Sequence, residues 1–214
     1  MTISTASSRA TRAVLATLAL LLVAAAPAAL AGEPSAEARA VVASTSDEVL
    51  AVLRKKDSPT DQRLGELQQI AYQRFDFPTI GRLVLARGWG QLSPAQQQEF
   101  LEDFKRHLSL DYGRRIDAYT DQTVEILSDR SEPNGDATVK THVHGANSGL
   151  VAVDYRLRKI DGQWRVIDVI VEGVSLVSSY RSQFQEIMAS GGATRVLQVL
   201  REKNSQAPVA ASAG

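Results

Sequence analysis

The hydrophobic pattern of the chain changes from a helical period to alternation after Tyr119, and this change constrains the fold most strongly. Alternating apolar and polar residues are typical of half-buried strands. Four such stretches predict strands over residues 122–128, 136–144, 149–158 and 163–172. Short turn sequences rich in Pro, Asn, Asp and Gly separate the stretches, so we expect the strands to pair as an antiparallel meander.

Helical periodicity precedes these strands and returns after them. Apolar stripes predict helices over residues 36–56, 60–74, 78–86, 94–119 and 193–203. A capping box from Ser93 to Gln96, with proline at the first helical position, begins the long fourth helix. After the last strand, Ser175 or Ser178 can cap a helix that the Gly191–Gly192 pair ends. Helices, then a sheet, then helices predict the α+β class.

The first 31 residues are expected to be a signal peptide and not part of the fold. Arg9 and Arg12 form a positive region, residues 13–26 form an apolar region, and Ala29-Leu30-Ala31 fits the small-x-small cleavage pattern. The apolar run is shorter than the stretch of about 20 residues that a membrane-spanning helix needs. We therefore expect an exported, periplasmic protein. At the other end of the sequence, the Ala/Ser/Pro composition predicts a disordered tail over residues 204–214.

Composition argues against several classes of function. The chain holds 24 basic and 24 acidic residues, and this balance argues against nucleic acid as a partner. It holds no cysteine, which excludes disulfides, thiolate catalysis and cysteine-ligated metals.

Residues that could carry chemistry are few. His142 and His144 lie on one face of a predicted strand, as a metal-binding pair would, but no third ligand is identifiable nearby, so no metal site is predicted. Asp154 and Asp168 lie in apolar runs of neighbouring strands, where they would be pocket acids or partners of arginines. Ser175 lacks the second glycine of a nucleophile elbow and is interpreted as a helix cap.

Apolar side chains are abundant on the predicted strands and helices. In the last strand, alternation places Trp164, Val166 and Ile170 on one side and Ile167, Val169 and Val171 on the other. Such a set is compatible with a packed core and equally with a core that contains a lipid-sized void, because composition and spacing do not distinguish the two.

Two segments resemble a known family. The stretch RFDFPTIGRLVLARGWGQLSPAQQQEFLEDFKRHLSLDYGRRI (74–116) resembles the FDF…W…SP-x-Q-x-x-x-F-x-x-x-F region of periplasmic phospholipid-binding proteins. The stretch WRVIDVIVEGVSLVSSYRSQF (164–184) is similar to their W-x-V-x-D-V-x-V-E-G-V-S-L-V-x-x-Y-R-x-Q-F signature. This is the MlaC family, also called toluene-tolerance (Ttg2-type) proteins, and the resemblance covers residues 37–203, which it implies form an MlaC-like phospholipid-binding domain.

The resemblance implies an NTF2-like curved antiparallel sheet of about four strands, with helices packed around it and an N-terminal helical part. It also implies a carrier that holds phospholipid as cargo, without a cofactor and without enzymatic activity. The implied partners are an inner-membrane ABC transporter with an MCE-domain protein and an outer-membrane lipoprotein–porin complex, and the implied role is outer-membrane lipid asymmetry. Three alternatives stay open: a hopanoid-associated relative, an NTF2-like enzyme with a pocket aspartate, and a scaffold protein with a filled core.

Apolar facing and position within the matching motifs predict the residues that contact lipid. They are Phe75, Phe77, Ile80, Val84, Phe104, Leu108, Val153, Tyr155, Val166, Tyr180 and Phe184. Trp89 and Trp164 are interpreted as core anchors. Asp168, Glu172 and Arg181 are interpreted as a salt-bridge set that positions the last helix.

Overall fold

The computed structural model describes residues 34–117, 121–145 and 149–206. The predicted signal peptide and residues 207–214 of the predicted tail lie outside these ranges. None of the helices within them is long and apolar enough to cross a membrane.

Helices come first in the described chain, followed by strands and then one more helix. The first group is α1 (Pro34–Leu53), α2 (Thr60–Arg74), α3 (Phe77–Leu85), a short 3-10 helix (Ala86–Gln91) and α4 (Pro94–Asp117). The strands are β1 (Thr123–Ser131), β2 (Ala137–Gly145), β3 (Gly149–Ile160), β4 (Gln163–Val171) and β5 (Val174–Ser175), and α5 (Leu176–Gln206) follows them. The predicted α+β class is confirmed.

The strands form one antiparallel sheet in the order β1-β2-β3-β4-β5. The β3–β4 hairpin turns at Asp161 and Gly162, whose φ angles of 49° and 78° lie in the left-handed region. Two consecutive residues with positive φ form a two-residue turn whose twist matches that of the flanking strands. Asp and Gly tolerate this conformation, which explains the Asp-Gly sequence. The meander was predicted, whereas the two-residue strand β5 was not.

The predicted caps and helix break are present. Ser93 N–H donates to Gln96 Oε1 at 2.9 Å and Gln96 N–H donates to Ser93 Oγ at 3.3 Å, which is the reciprocal pattern of a capping box. In α5 the backbone leaves helical values at the Gly191–Gly192 pair. The second segment continues to Gln206, beyond the predicted end at residue 203, because Asn204 is buried and donates to the carbonyl of Asp103.

The register of the sheet separates an apolar face from a polar face. One row of cross-strand neighbours on the apolar face is Ala137, Leu157 and Val166, and the next is Val139, Tyr155 and Val169. Helix α1 packs Ala38 and Val42 against these rows and forms the sheet core with them. On the polar face Lys140 and Asp154 are cross-strand partners, with Nζ and Oδ2 4.0 Å apart.

Helices α3, α4 and α5 form a second core of their own. Its buried members are Ile80, Val84, Leu85, Leu92, Phe100, Leu101, Phe104, Val177, Tyr180, Phe184, Ala193, Val196, Leu197 and Leu200. Gly81 allows α3 to lie close to α4, because a Cβ there would be 2.6 Å from a methyl group of Leu101. We call this group the helical core.

The Phe75-Asp76-Phe77 segment joins the two cores. Phe75 packs against both of them. Asp76 N–H donates to the carbonyl of Val166 in β4 at 2.9 Å, and its carboxylate accepts from Thr79 N–H at 2.9 Å, which caps α3. The end of α2 and the start of α3 are therefore attached to the sheet at β4.

The two tryptophans differ in their surroundings. Trp164 is buried in the sheet core, and its indole N–H donates to Glu37 at 2.9 Å, so it holds α1 to β4. Trp89 is half-buried and packs edge-on against Phe100 in the helical core, with ring centroids 6.2 Å apart.

A buried carboxylate lies at the start of β2. The side chain of Asp136 is 1% exposed, and Arg158 donates to its two oxygens at 2.6 and 2.8 Å. Arg156 lies 3.4 Å away, and the side-chain amide of Asn134 donates at 2.9 Å. Hydrogen bonds from Arg158 are the main reason that the pKa of Asp136 is lowered. The pair thereby holds β2 to β3.

We predict that Asp136→Asn lowers the free energy of unfolding at neutral pH by about 2–3 kcal/mol, because it removes charge-assisted hydrogen bonds to a buried group. The folded pKa of Asp136 is depressed, so its contribution is present above the unfolded pKa of about 3.9 and is lost as pH falls through the folded value. Urea denaturation of both proteins at neutral pH and at about pH 3 should show the difference shrinking in acid.

Asp154→Asn is the matched control for this experiment. The Asp154 side chain is 28% exposed and lies 4.0 Å from its lysine, so its loss should cost less than about 1 kcal/mol. Equal losses from the two variants would show that the burial of Asp136 contributes nothing.

Candidate functional site

In the part of the chain that the structure describes, the apolar face of the sheet is buried at one end and partly exposed at the other. In the row of Ala137, Leu157 and Val166, side chains are at most 2% exposed. Farther along the strands Val153 is half-buried, and its neighbours Val171 and Val174 are 36% and 59% exposed. Cover by α1 therefore ends before the strands do.

The partly exposed end includes β-branched aliphatic side chains from four strands. They are Val143, Val151, Val153, Val169, Val171 and Val174, and we call this set the valine patch. Next to it, Thr141 uses its hydroxyl to donate to the carbonyl of Val153 at 2.7 Å. Burial among apolar groups raises the pKa of the neighbouring Tyr155 to about 12. Such a surface favours hydrocarbon over a polar or ionic ligand.

The predicted lipid-binding residues divide between the sheet and the helices. Val153 belongs to the valine patch and Tyr155 is the cross-strand partner of its member Val169, whereas Val166 lies at the covered end. Phe75 lies between the two cores, and Phe77 is 5% exposed. Contact of these residues with a lipid stays a prediction.

The other predicted residues lie in the helical core. They are Ile80, Val84, Phe104, Tyr180 and Phe184, with Leu108 partly buried against them. The Phe104 ring lies 5.0 Å from that of Tyr180 and 5.7 Å from that of Phe184, both edge-on. These side chains pack directly against one another. A ligand can therefore contact them only if the aromatic rings move apart. For them too, lipid contact stays a prediction.

A β-bulge explains why part of the valine patch was missed. The pairing of β3 with β4 shifts between Arg156 and Leu157, so Leu157 faces Val166 while Tyr155 faces Val169. Alternation alone put Val166 and Val169 on opposite sides of the strand, and that prediction is wrong. Val143 and Val151 were identifiable from the alternation, because they share the face of Val153.

Two clefts lined by described residues lie outside the valine patch. One, of about 270 Å³, is lined by Phe75 and Phe77 together with Lys105, whose ammonium lies 5.3 Å from the Phe77 ring. The other, of about 450 Å³, lies between α4 and α5 and is lined by His107 and Tyr180 among mostly polar groups. Burial lowers the pKa of His107, which favours the neutral imidazole.

The aspartates considered as pocket acids do not face the valine patch. Asp154 is paired with Lys140 on the polar face. Asp168 is 4% exposed, and its two oxygens accept from Ser175 Oγ at 2.6 Å and from Val177 N–H at 3.1 Å. Asp168 therefore supports the start of α5.

The predicted salt-bridge set of Asp168, Glu172 and Arg181 is wrong, because in the described ranges each of the three bonds to other groups. Glu172 accepts from the N–H of Ala152, and Arg181 donates to the carbonyl of Leu83 at 2.7 Å. All three still hold backbone segments in place. The prediction that Ser175 caps the helix is confirmed, since its Oγ accepts from Ser178 N–H at 3.0 Å.

Comparison with known proteins identifies relatives of this chain. The family model described as MlaC protein matches residues 43–202. The toluene tolerance protein ttg2D of Pseudomonas putida is 34% identical over 100 residues, which are 47% of this chain and 46% of that protein, so the match spans about half of the relative's length. The phospholipid-binding protein of Ralstonia solanacearum, solved in complex with a phospholipid, matches with a TM-score of 0.73 and 29% identity, over 79% of this chain and 98% of that one.

We predict that truncating the helical core and truncating the valine patch have different effects on stability. Phe104→Ala should lower the free energy of unfolding by about 3–5 kcal/mol, because it opens a cavity in a filled core. Val153→Ala should cost about 1 kcal/mol, since its side chain is only half-buried. Denaturant unfolding of lipid-free protein measures both, and a loss from Val153→Ala as large as that from Phe104→Ala would show that the patch is part of a closed core.

Proposed function

Because this chain belongs to the MlaC family, we propose that it is a periplasmic phospholipid carrier and that the valine patch forms one wall of its lipid site. The observation that carries the proposal is an aliphatic sheet face that stays partly exposed at one end. The relative from Ralstonia solanacearum, which has the same fold and holds a phospholipid, supports it.

A carrier is needed because free phospholipid does not cross water at a useful rate. Transfer of two acyl chains of about 15 methylenes each from hydrocarbon to water costs roughly 24 kcal/mol of free energy. Each partly exposed valine would contribute at most about 1 kcal/mol when an acyl chain covers it, so the patch supplies at most about a quarter of this amount. Helices must therefore cover the chains on their other side. An apolar site that tolerates partial cover also suits a carrier that has to release its cargo.

The partners are proposed from the family resemblance and not from the valine patch. We propose that the protein exchanges lipid with an outer-membrane lipoprotein–porin complex and an inner-membrane ABC transporter that carries an MCE-domain protein. Maintenance of outer-membrane lipid asymmetry is then its role. The headgroup would stay at the uncovered end of the sheet, in water, so the site needs few charged ligands.

The alternatives make different demands on the site. An enzyme with a pocket aspartate needs a carboxylate at the apolar face, yet Asp154 lies on the polar face and Asp168 supports the start of α5. A scaffold protein needs a filled core, and an uncovered valine patch argues against that. A hopanoid-associated protein would use the same aliphatic wall, and only the identity of the cargo distinguishes it.

The first test is native mass spectrometry of the mature protein, followed by lipid extraction of the same sample. A bound diacyl phospholipid supports the proposal and gives the number of chains. A bound hopanoid supports the related branch. Protein that is purified empty, and that takes no phospholipid from vesicles, would contradict the carrier proposal.

We predict that Val153→Asp lowers the amount of retained phospholipid at least about tenfold, because it places a charge on the apolar wall. The matched control is Ser128→Asp, which adds the same charge on the polar face, where residue 128 is exposed and is the cross-strand partner of Lys140. Circular dichroism establishes that both variants fold. Equal lipid content in both variants would remove the valine patch from the site.

A further inference from the structure

The pairing of β1 with β2 brings a carboxylate to the two histidines of the H-x-H sequence. Glu125 is the direct cross-strand partner of His142, and His144 lies two residues farther along β2 on the same face. His144 Nε2 lies 3.1 Å from Glu125 Oε2, and one ligand atom from each of the three residues lies within 4.8 Å of the others. The third ligand that could not be identified from the sequence comes from the neighbouring strand.

We propose that Glu125, His142 and His144 bind a divalent transition metal of the zinc type. Two imidazole nitrogens and one carboxylate oxygen are ligands that zinc accepts, with a water completing the coordination. Metal–ligand distances of about 2.0–2.2 Å in a tetrahedron place neighbouring ligand atoms about 3.3 Å apart. The 3.1 Å contact between Glu125 and His144 is close to this spacing, and His142 contributes a ligand atom within 4.8 Å of both.

The surroundings of the cluster suit an ion that enters from solvent. The side chains of His144 and Glu125 are 44% and 60% exposed. On the other side of His142 the cross-strand partner is Ala152, whose side chain is a single methyl group. The nearby ammonium of Lys140 is directed to Asp154 on β3, at 4.0 Å, and not to β1.

The metal site is separate from the proposed lipid site. His142 and His144 alternate along β2 with Val143, so the cluster lies on the polar face and the valine patch on the apolar one. A bound ion would link β1, the first strand in the sheet order, to β2. Its binding therefore does not depend on whether the protein carries phospholipid.

Isothermal titration calorimetry with zinc chloride tests the proposal on mature protein from which any polyhistidine tag has been removed. We expect saturable binding of one zinc ion per chain, weakened at least about tenfold in His142→Ala/His144→Ala. The chain has three histidines, so His107→Ala is the matched control and should bind as the unaltered protein does. Glu125→Gln should bind more weakly than the control and more tightly than the double variant.

The melting temperature gives a second readout, because a ligand that binds only the folded state stabilises it. Zinc should raise the melting temperature of the unaltered protein and of His107→Ala, and leave that of His142→Ala/His144→Ala unchanged. Circular dichroism establishes that all variants fold without metal. The proposal is overturned if the unaltered protein shows no saturable zinc binding, or if the double variant binds zinc as tightly as the unaltered protein does.

Discussion

The hydrogen bond from Asp76 N–H to the carbonyl of Val166 is the link on which the arrangement of the two cores depends. Phe75, one residue earlier, packs against both the sheet core and the helical core, and the Asp76 side chain starts α3. The helical core is thereby attached beside β4 and completes its own packing. The aromatic rings of the helical core bury one another's apolar surface. They are therefore buried without packing against the far end of the sheet.

That arrangement separates the apolar surface that stabilises the fold from the surface proposed to bind lipid. The helical core and the covered end of the sheet bury their apolar side chains almost completely, so they supply most of the hydrophobic stabilisation. The valine patch leaves part of its aliphatic surface uncovered, which is unfavourable in water and is offset when hydrocarbon covers it. The proposed lipid site therefore lies on apolar surface that the two cores leave partly exposed.

Patterns within one element were predictable from the sequence, and contacts between elements were less so. The capping box at Ser93, the four long strands and the break at the Gly191–Gly192 pair all depend on neighbouring residues in the chain. The bulge that moves Val169 to the face of Val166 depends on pairing with β3, and alternation within β4 does not reveal it. For the same reason the aromatic residues of the matching motifs were identifiable as apolar, but their packing against one another was not.

The pairing register of β2 determines which of its side chains lie on each face of the sheet. Side chains alternate between the faces, so a slip of one residue would move Val143 to the polar face and turn His142 and His144 toward the apolar one. The buried carboxylate of Asp136, bound by Arg158 of β3, resists that slip at the start of the strand, because moving it would leave a buried charge unpaired. One ion pair at the covered end of the sheet thus preserves both the aliphatic wall and the histidine cluster at the other end.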